Sequence, residues 1–495
     1  MTASLDALDP VRSRALREEL PGVEDAFDQD SMRRRLQLAL LEGDGQGLEI
    51  GRCERRQAAY APGQGCTVRY QLEVRDRAGR LATSALANVR LFPDPRSAWL
   101  HLVSCLDPLA EAASAREELA RFVTPVALIE PLAMTVSLFP IDGDLPTLVG
   151  ATDPAAMLEI LRGVVERASG APFTPRRCRV EVAHYPREHH CVLRYTLDDG
   201  NGSPPLTLFG KLAGDDRGAL TMAAVPDLRE RILRGRGRPF AIPRPLAFVQ
   251  HLRLVLLEAI PGAPKISHLL KLRLGTGDEA AGTPTLEETV DWAATVAAGL
   301  HTSGVTLRPR RRIEDELIEL EHGFAALERI SPLLGAEFRG WLDSVVACST
   351  ITSPWPACFS HGDFSPSQLV FYGEGCGLID FDTICMAEAA LDLGQFLAYL
   401  RLTARKAGTA NPVHGAEPTE RLCARFVEAY ARECGLAPEA AGRLGARVQL
   451  YEMVSLLRLV IHSWRKFKRD RLALVVGVVR DRLPSLPGGA HVRSG

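Results

Sequence analysis

An internal repeat constrains the fold of this chain more than any other feature of its sequence. When the sequence is shifted by 125 residues without a gap, residues 32–72 align with residues 157–197 and share eleven identities in 41 positions. One shared residue is Tyr70, which aligns with Tyr195. Coincidence is a poor explanation of an ungapped match of this length, so we expect two copies of one folding unit.

Each copy is predicted to be a helix followed by a β-hairpin. In the second copy, helical spacing of apolar residues over 157–165 gives way to strand-like alternation over 180–185 and 191–197. A third strand is predicted at 206–212 in the second copy and at 87–92 in the first. The repeated unit is therefore expected to contain a small antiparallel sheet.

The character of the sequence changes after residue 262, where helical spacing dominates. A connector rich in Gly and Thr at 274–285 precedes the helices, and one break at 357–382 is predicted to form two short strands around a polar loop. Together with the two sheets, this pattern predicts an α+β fold. The helices are predicted at 286–303, 312–330, 336–348, 387–404, 418–433 and 438–464.

Composition argues against several classes of partner. The formal net charge of -2 gives no reason to expect a nucleic acid or an anionic membrane as partner. No run of eighteen apolar residues and no apolar leader is present, so we expect a cytoplasmic protein. The eleven cysteines are never spaced as C-x-x-C, which argues against a disulfide framework or a zinc site. The oligomeric state stays open.

The break at 357–382 carries the candidate catalytic residues. Phosphoryl transfer requires a carboxylate beside the attacking hydroxyl, oxygen ligands for magnesium and a cation on the phosphates. Asp363, in the segment HGDFSPSQ, is placed to accept the hydroxyl proton, and the amide oxygen of Gln368 is a suitable Mg²⁺ ligand. Asp380, which ends the predicted strand 377–381, is placed to join magnesium to the β- and γ-phosphates. A single Asp would usually be a surface carboxylate, but this combination argues for a site.

These segments resemble the motifs of the aminoglycoside phosphotransferase and choline kinase group, which has a protein-kinase-like fold. The catalytic loop of that family reads H-G-D-x-x-x-x-N and is matched by residues 361–368, while IDFD at 379–382 matches its metal-binding motif. The sequence departs from the family in having Gln368 for Asn, which keeps the oxygen ligand but adds a methylene. The resemblance implies a bilobal kinase that uses ATP or GTP and Mg²⁺.

The resemblance also indicates residues that would bind the nucleotide. Lys211, one of only six lysines beside 53 arginines, takes the place of the lysine that contacts the α- and β-phosphates. Its expected carboxylate partner is Glu230 on the next helix, with Asp227 as an alternative. Arg187 in the hairpin turn is expected to reach a phosphate, although an ordinary charged turn would look the same.

Two further positions follow from the resemblance. Residues 256–262, which include Glu258, correspond to the hinge between lobes, whose backbone would hydrogen-bond an adenine ring. Asp392 matches the aspartate of a D-L-G motif that braces the catalytic loop in the family. We therefore expect Glu258 to lie beside the nucleotide and Asp392 to act as structural support. The alternative is that Asp392 or Glu388 also faces a cationic substrate.

The expected organisation has four parts. Residues 1–150 form a degenerate copy of the small lobe, 151–262 the active small lobe, 263–484 a helical large lobe and 485–495 a disordered tail. In the first copy Arg90 falls opposite Lys211, but Arg lacks the compact charge that suits a phosphate lysine. We therefore predict that this copy covers the cleft, recognises an acceptor or binds a partner.

The predicted function is transfer of the γ-phosphoryl group to a hydroxyl of a sugar, an amino sugar or another hydroxylated metabolite. The main alternative is a nucleotide-binding regulator of the same fold that no longer transfers phosphate. A protein kinase is disfavoured, because no A-P-E motif follows IDFD and few residues separate Asp382 from the next helix.

Overall fold

The computed structural model of the protein describes residues 9–42, 47–185, 190–202, 204–235, 239–260, 265–276, 284–372, 375–408 and 416–487. The first sheet is antiparallel, with strand order β1-β2-β3-β5-β4. Its strands are β1 (Glu49–Ala61), β2 (Gly65–Arg75), β3 (Leu81–Leu91), β4 (Val126–Ile129) and β5 (Met134–Leu138). The helices around it are α1 (Arg14–Glu19), α2 (Val23–Phe27), α3 (Gln29–Leu41), α4 (Pro95–His101) and α5 (Asp107–Ala112).

A second antiparallel sheet has the equivalent strand order, β6-β7-β8-β10-β9. Its strands are β6 (Arg177–His184), β7 (His190–Asp198), β8 (Leu206–Ala213), β9 (Pro245–Val249) and β10 (Leu254–Glu258). The helices next to it in the chain are α6 (Leu148–Ala151), α7 (Pro154–Ser169) and α8 (Arg217–Arg234).

The two sheets also carry matching contacts at positions 125 residues apart. The hydroxyl of Tyr70 donates to the carbonyl oxygen of Ala26, and the hydroxyl of Tyr195 donates to that of Ala151 at 2.8 Å. An aspartate caps the helix ahead of each hairpin by accepting two backbone N–H bonds, as N-cap residues do. These caps are Asp28 at α3 and Asp153 at α7.

The rest of the chain is mainly helical, and its six predicted helices are all present. The expected α+β class is therefore confirmed at this level. Two short strand pairs interrupt the helices: β11 (Ala357–Ser360) with β14 (Cys385–Glu388), and β12 (Leu369–Tyr372) with β13 (Gly375–Leu378). The helices are α9 (Ile266–Thr276), α10 (Leu286–His301), α11 (Ile313–Ile330), α12 (Pro332–Ile351), α13 (Ala389–Gly408), α14 (Ala416–Glu433), α15 (Pro438–Arg465) and α16 (Arg469–Arg482).

Two details differ from expectation. The strand predicted at 377–381 ends at Leu378, so Asp380 lies beyond the strand rather than closing it. The predicted tail, 485–495, falls largely outside the described residues. Among the helices that the structure describes, none combines the length and apolar character needed to cross a membrane.

The first sheet shares its apolar core with the helical part of the chain. One continuous cluster of buried apolar residues extends from Val68 on β2 to Phe396 on α13 and Trp464 on α15. The core of the second sheet, around Met157 and Tyr195, is a separate cluster. The first sheet is therefore packed as an integral part of the larger body and is not merely attached to it.

An aromatic contact fixes the first sheet to α15. The Tyr60 ring on β1 meets the ring of Trp464 edge-on, with centroids 5.7 Å apart. The Tyr60 hydroxyl also accepts a hydrogen bond from Arg329 on α11 at 3.1 Å, and Arg329 forms a 2.8 Å ion pair with Glu19. Burial of Trp464 thus depends on both parts of the chain.

We predict that Trp464→Ala destabilises the whole protein, because it removes a large side chain that is 1% exposed and leaves a cavity at this junction. The expected loss of unfolding free energy is about 3–5 kcal/mol. Trp99→Ala is the matched control, since Trp99 is 52% exposed, and should change stability by less than about 0.5 kcal/mol. Urea denaturation measures both; equal midpoints for the two variants would contradict the shared core.

Candidate active site

A glycine sets the path of the loop that carries Asp363. Gly362 adopts φ +77°, and a Cβ at this position would lie 2.2 Å from the carbonyl oxygen of Thr383. Only glycine fits such a close approach in the left-handed region. The Thr383 hydroxyl donates to the carbonyl oxygen of His361 at 2.9 Å, so the loop is held against the segment that follows Asp380.

Two glutamine amides hold the carboxylate of Asp363. The side-chain N–H groups of Gln368 and Gln395 donate to its two oxygens at 2.8 Å and 2.7 Å. Burial raises the pKa of Asp363 above its ordinary value, and the nearby charge of Asp380 acts in the same direction. His361 and the two amides oppose this effect. The result is an oriented carboxylate with greater basicity than one on the surface.

Lys211 joins the second sheet to the segment around Asp380. The Lys211 ammonium group forms ion pairs with Asp380 and, at 2.8 Å, with Asp382. Burial alone would lower the pKa of Lys211, but the two carboxylates raise it. Burial would likewise raise the pKa of Asp380, yet the charge and hydrogen bond of Lys211 lower it to about 2. Both partners are therefore held in their charged forms.

The backbone of Asp380 is unusual. Asp380 adopts φ +76°, a conformation that is uncommon for residues other than glycine and that concentrates at functional sites. The turn follows β13 directly and directs the carboxylate toward Lys211. The backbone N–H of Ile379 donates to the carbonyl oxygen of Gln368 at 2.9 Å, which links this turn to the catalytic loop.

Asp392 supports the catalytic loop from α13. Its carboxylate accepts backbone N–H bonds from His361 at 2.7 Å and from Gly362 at 2.9 Å. His301 contacts the same carboxylate through Nε2 at 3.2 Å, and its Nδ1 lies 2.9 Å from the Tyr430 hydroxyl. Burial opposes ionisation of Asp392, but these hydrogen bonds hold its pKa below the ordinary value.

The structure brings four of the predicted residues together through a chain of contacts, and we call their surroundings the cleft: Asp363, Gln368, Asp380 and Lys211. Glu230 does not join them. It forms a 2.6 Å ion pair with Arg234 and faces a cavity of about 670 Å³ whose described lining includes none of the four.

The other predicted nucleotide-binding residues are Glu258, Arg187 and the hinge. Glu258 forms a 3.3 Å ion pair with Arg244 near the surface. Arg187 and hinge residues 261–262 lie outside the described residues. The expected ion pair between Lys211 and Glu230 is not formed. Lys211 pairs instead with the carboxylates of Asp380 and Asp382.

Sequence reasoning missed Gln395. This residue lies one helical turn beyond Asp392 on α13, within the segment Asp392-Leu393-Gly394-Gln395, and an amide is conspicuous among the apolar residues of that helix. Its Oε1 is buried and, in the part of the chain that the structure describes, has no hydrogen-bond partner. A buried acceptor of this kind is unfavourable unless a ligand supplies a donor.

The donor set at the cleft fits a magnesium ion that is also held by phosphate oxygens. Among the described residues, no group of three or more His, Cys, Asp or Glu side chains is arranged to hold a metal by itself. Magnesium bound with a nucleotide needs only one or two protein carboxylates, because phosphates and waters complete its coordination. Asp380 and Asp382 provide carboxylates, and Gln368 provides an amide oxygen.

The family match covers part of this site. The model of the phosphotransferase enzyme family matches residues 219–442, which include Asp363, Gln368, Asp380 and Asp392 but not Lys211. The resemblance recognised in the motifs is therefore confirmed for this segment. The expected enzyme class, a phosphotransferase with an alcohol group as acceptor, is confirmed at the level of the family.

Several solved structures are distantly similar to the chain. An ethanolamine kinase from Plasmodium vivax is 12% identical, with 63% of this chain and 82% of that chain covered and a TM-score of 0.43. A choline kinase from Cryptosporidium parvum is 11% identical, with 66% and 94% covered and a TM-score of 0.43. A choline/ethanolamine kinase family protein from Mesorhizobium loti is 15% identical, with 68% and 97% covered and a TM-score of 0.40. A search of curated proteins gave no significant match.

We predict that Asp392→Asn destabilises the protein by about 1–3 kcal/mol at neutral pH, because one buried N–H of the loop loses its anionic acceptor. The pKa of Asp392 is lowered in the folded state, so its contribution is complete above the unfolded value near 3.8 and is lost as pH falls through the folded value. The difference from wild type should therefore stay constant from pH 6 to about pH 5 and shrink as the pH falls further, towards about pH 2. Urea denaturation across this range tests it; a difference independent of pH would exclude the charged brace.

Proposed function

We propose that the protein is a small-molecule kinase that transfers the γ-phosphoryl group of ATP or GTP to a hydroxyl. The observation that carries this proposal is the convergence of Asp363, Gln368, Asp380 and Lys211 in one cleft. A carboxylate base, oxygen ligands and a buried cation are the groups that phosphoryl transfer requires of a protein.

Asp363 would act as the base. The two amides fix its carboxylate, and its raised pKa makes it a better acceptor for the proton of an incoming hydroxyl. The unpartnered oxygen of Gln395 would lie beside that hydroxyl and accept a hydrogen bond from a second donor on the acceptor molecule. Gln395 is therefore a positioning residue for the acceptor in this proposal.

Lys211 would contact the nucleotide phosphates. In the structure its single positive charge offsets only one of the two negative charges of Asp380 and Asp382, so the two carboxylates keep a net negative charge that would favour magnesium. Asp380 and Gln368, assisted by Asp382, would hold the ion. Bound magnesium would neutralise charge on the β- and γ-phosphates.

The first sheet is, in this proposal, a degenerate copy of the small lobe. Its strand order and its Tyr70 and Asp28 contacts match those of the second sheet. Arg90, at the position of Lys211, instead forms a 2.8 Å ion pair with Asp144 within the same copy. No catalytic role follows for this copy, and the assignment of 1–150 and 151–262 as two lobes rests on this likeness.

The direct test mixes the purified protein with labelled ATP, Mg²⁺ and a panel of sugars, amino sugars and other hydroxylated compounds. We expect transfer to at least one acceptor, and Asp363→Asn should lower kcat by about 10²–10⁴-fold with nucleotide binding retained, because only the base is lost. Transfer that persists in the variant would refute the role of Asp363. Nucleotide binding without transfer to any acceptor would favour the regulatory alternative.

Lys211→Met should weaken nucleotide binding because it removes a charge-assisted contact to phosphate. The expected rise in Kd for the nucleotide is about 10–100-fold. Lys271→Met is the control, since Lys271 is an exposed lysine on α9. Fluorescence titration with a labelled ATP analogue measures both variants, and equal affinities would remove Lys211 from the phosphate site.

A further inference from the structure

A basic cavity of about 400 Å³ lies between the first sheet and the turn that joins α15 to α16. Its charged lining consists of Arg55 and Arg56 on β1 and Lys466 and Lys468 in the turn, and no carboxylate belongs to the lining among the described residues. His184, at the end of β6, completes one side. Elements from both sheets and from the helical part therefore converge on one positively charged space.

The cations are held in place by local structure. The rings of Phe27 and Phe467 pack with centroids 4.6 Å apart, and the Arg55 guanidinium lies 4.2 Å from the centroid of Phe27. Phe467 has φ +53°, and this left-handed residue turns the chain between Lys466 and Lys468. The two lysines are thereby placed on a tight turn instead of along a helix.

A β-bulge sets the position of Arg56. The pairing of β1 with β2 shifts register between Arg55 and Gln57, so that Arg56 is the extra residue. Bulges re-aim side chains and are frequent beside active sites. Arg56 also contacts Glu54 at 2.8 Å, a neighbour on the exposed surface of the strand.

One residue of the cavity lining lies on the same face of the second sheet as Lys211. His184 pairs with Val192, and Val192 pairs with Lys211, so these three residues form one row across neighbouring strands. Directly paired residues project to the same face of a sheet, and two strand spacings amount to about 10 Å. His184 and the cavity that it lines are therefore on the face of Lys211, about 10 Å away.

A second connection runs through the helical part. Gln395 contacts Asp363, and Tyr399 lies one turn further along α13. The guanidinium of Arg471, at the start of α16, lies 5.9 Å from the centroid of the Tyr399 ring. The basic residues that follow α15 are therefore close to both places. Arg471 lies near the surroundings of the candidate base, and Lys466 and Lys468 line the cavity.

We propose that this cavity binds an anionic group, a carboxylate or a phosphate ester, on the acceptor molecule, so that the substrate is a hydroxylated acid or a sugar phosphate. The inference rests on the proposed function and specifies its substrate class. It also assigns the first sheet a role in substrate recognition, because Arg55 and Arg56 would bind the acceptor at a distance from the reacting hydroxyl.

The position of the cavity favours the acceptor over the nucleotide as the source of the anion. Lys211, Asp380 and Gln368 already form the set that would hold nucleotide phosphates and magnesium. The cavity is two strands away from Lys211, and half of its cations come from the first sheet.

The test measures binding without turnover. Asp363→Asn is saturated with a non-hydrolysable ATP analogue and Mg²⁺ and titrated calorimetrically with matched pairs: glycerol and glycerol 3-phosphate, glucose and glucose 6-phosphate, and glucose and gluconate. Choline and kanamycin serve as cationic hydroxylated compounds. At least one anionic member should bind on the order of ten-fold more tightly than its neutral partner.

Removing the cations should abolish this preference. Arg56→Gln combined with Lys468→Gln is expected to weaken the anionic compound on the order of ten-fold or more and to leave the Kd for the ATP analogue within about two-fold. Arg52→Gln is the matched control, because Arg52 lies on the same strand outside the cavity.

Three outcomes would overturn the inference: tighter binding of the cationic compounds, no binding of any anionic compound while the nucleotide binds, or a selective loss of ATP-analogue affinity in the double variant. The last outcome would assign the cations to the nucleotide phosphates. Failure of the proposed function is distinguished by a separate assay of ADP release in the wild type, since an anion can bind whether or not phosphate is transferred.

Discussion

The partly buried ion pairs of Lys211 with Asp380 and Asp382 are the interaction on which the site depends. They connect a strand of the second sheet to a turn of the helical part that lies about 170 residues later in the chain. A cation that is partly removed from water is unfavourable without its partners, and the same holds for the two carboxylates without the cation. The relative position of sheet and turn is therefore fixed at the place where nucleotide phosphates would bind.

The motifs predicted the residues at the centre of the site, but they did not predict which side chains contact Lys211 and Asp363. Asp363, Gln368 and Asp380 are separated by few residues, so strand-and-loop patterns were enough to bring them together. Glu230 was chosen because it follows Lys211 on the next helix, whereas the observed partners come from a distant segment whose approach depends on tertiary packing. Gln395 was missed for the same reason, since helical spacing alone does not identify which polar residue of α13 faces Asp363.

The fold was predicted best where apolar periodicity is strong. The six long helices after residue 262 and the hairpin of the second copy were located within a few residues. The helix α16 was missed because its centre, Val475-Val476-Gly477-Val478-Val479, is a β-branched run that would favour a strand, and packing against α15 and α13 overrides that preference. The prediction left open whether the first copy covers the cleft, recognises an acceptor or binds a partner. Local sequence patterns do not reveal that its sheet shares an apolar core with the helices.

The division of the interior into two apolar clusters has a consequence for motion. Val68, Phe396 and Trp464 belong to one cooperative unit, while the second sheet holds its own smaller interior. Segments with separate interiors open independently at a lower free-energy cost than the global transition. The second sheet is thus the part expected to open locally first, and such opening requires release of the Lys211 ion pairs and of the buried contact between Arg69 and Tyr185.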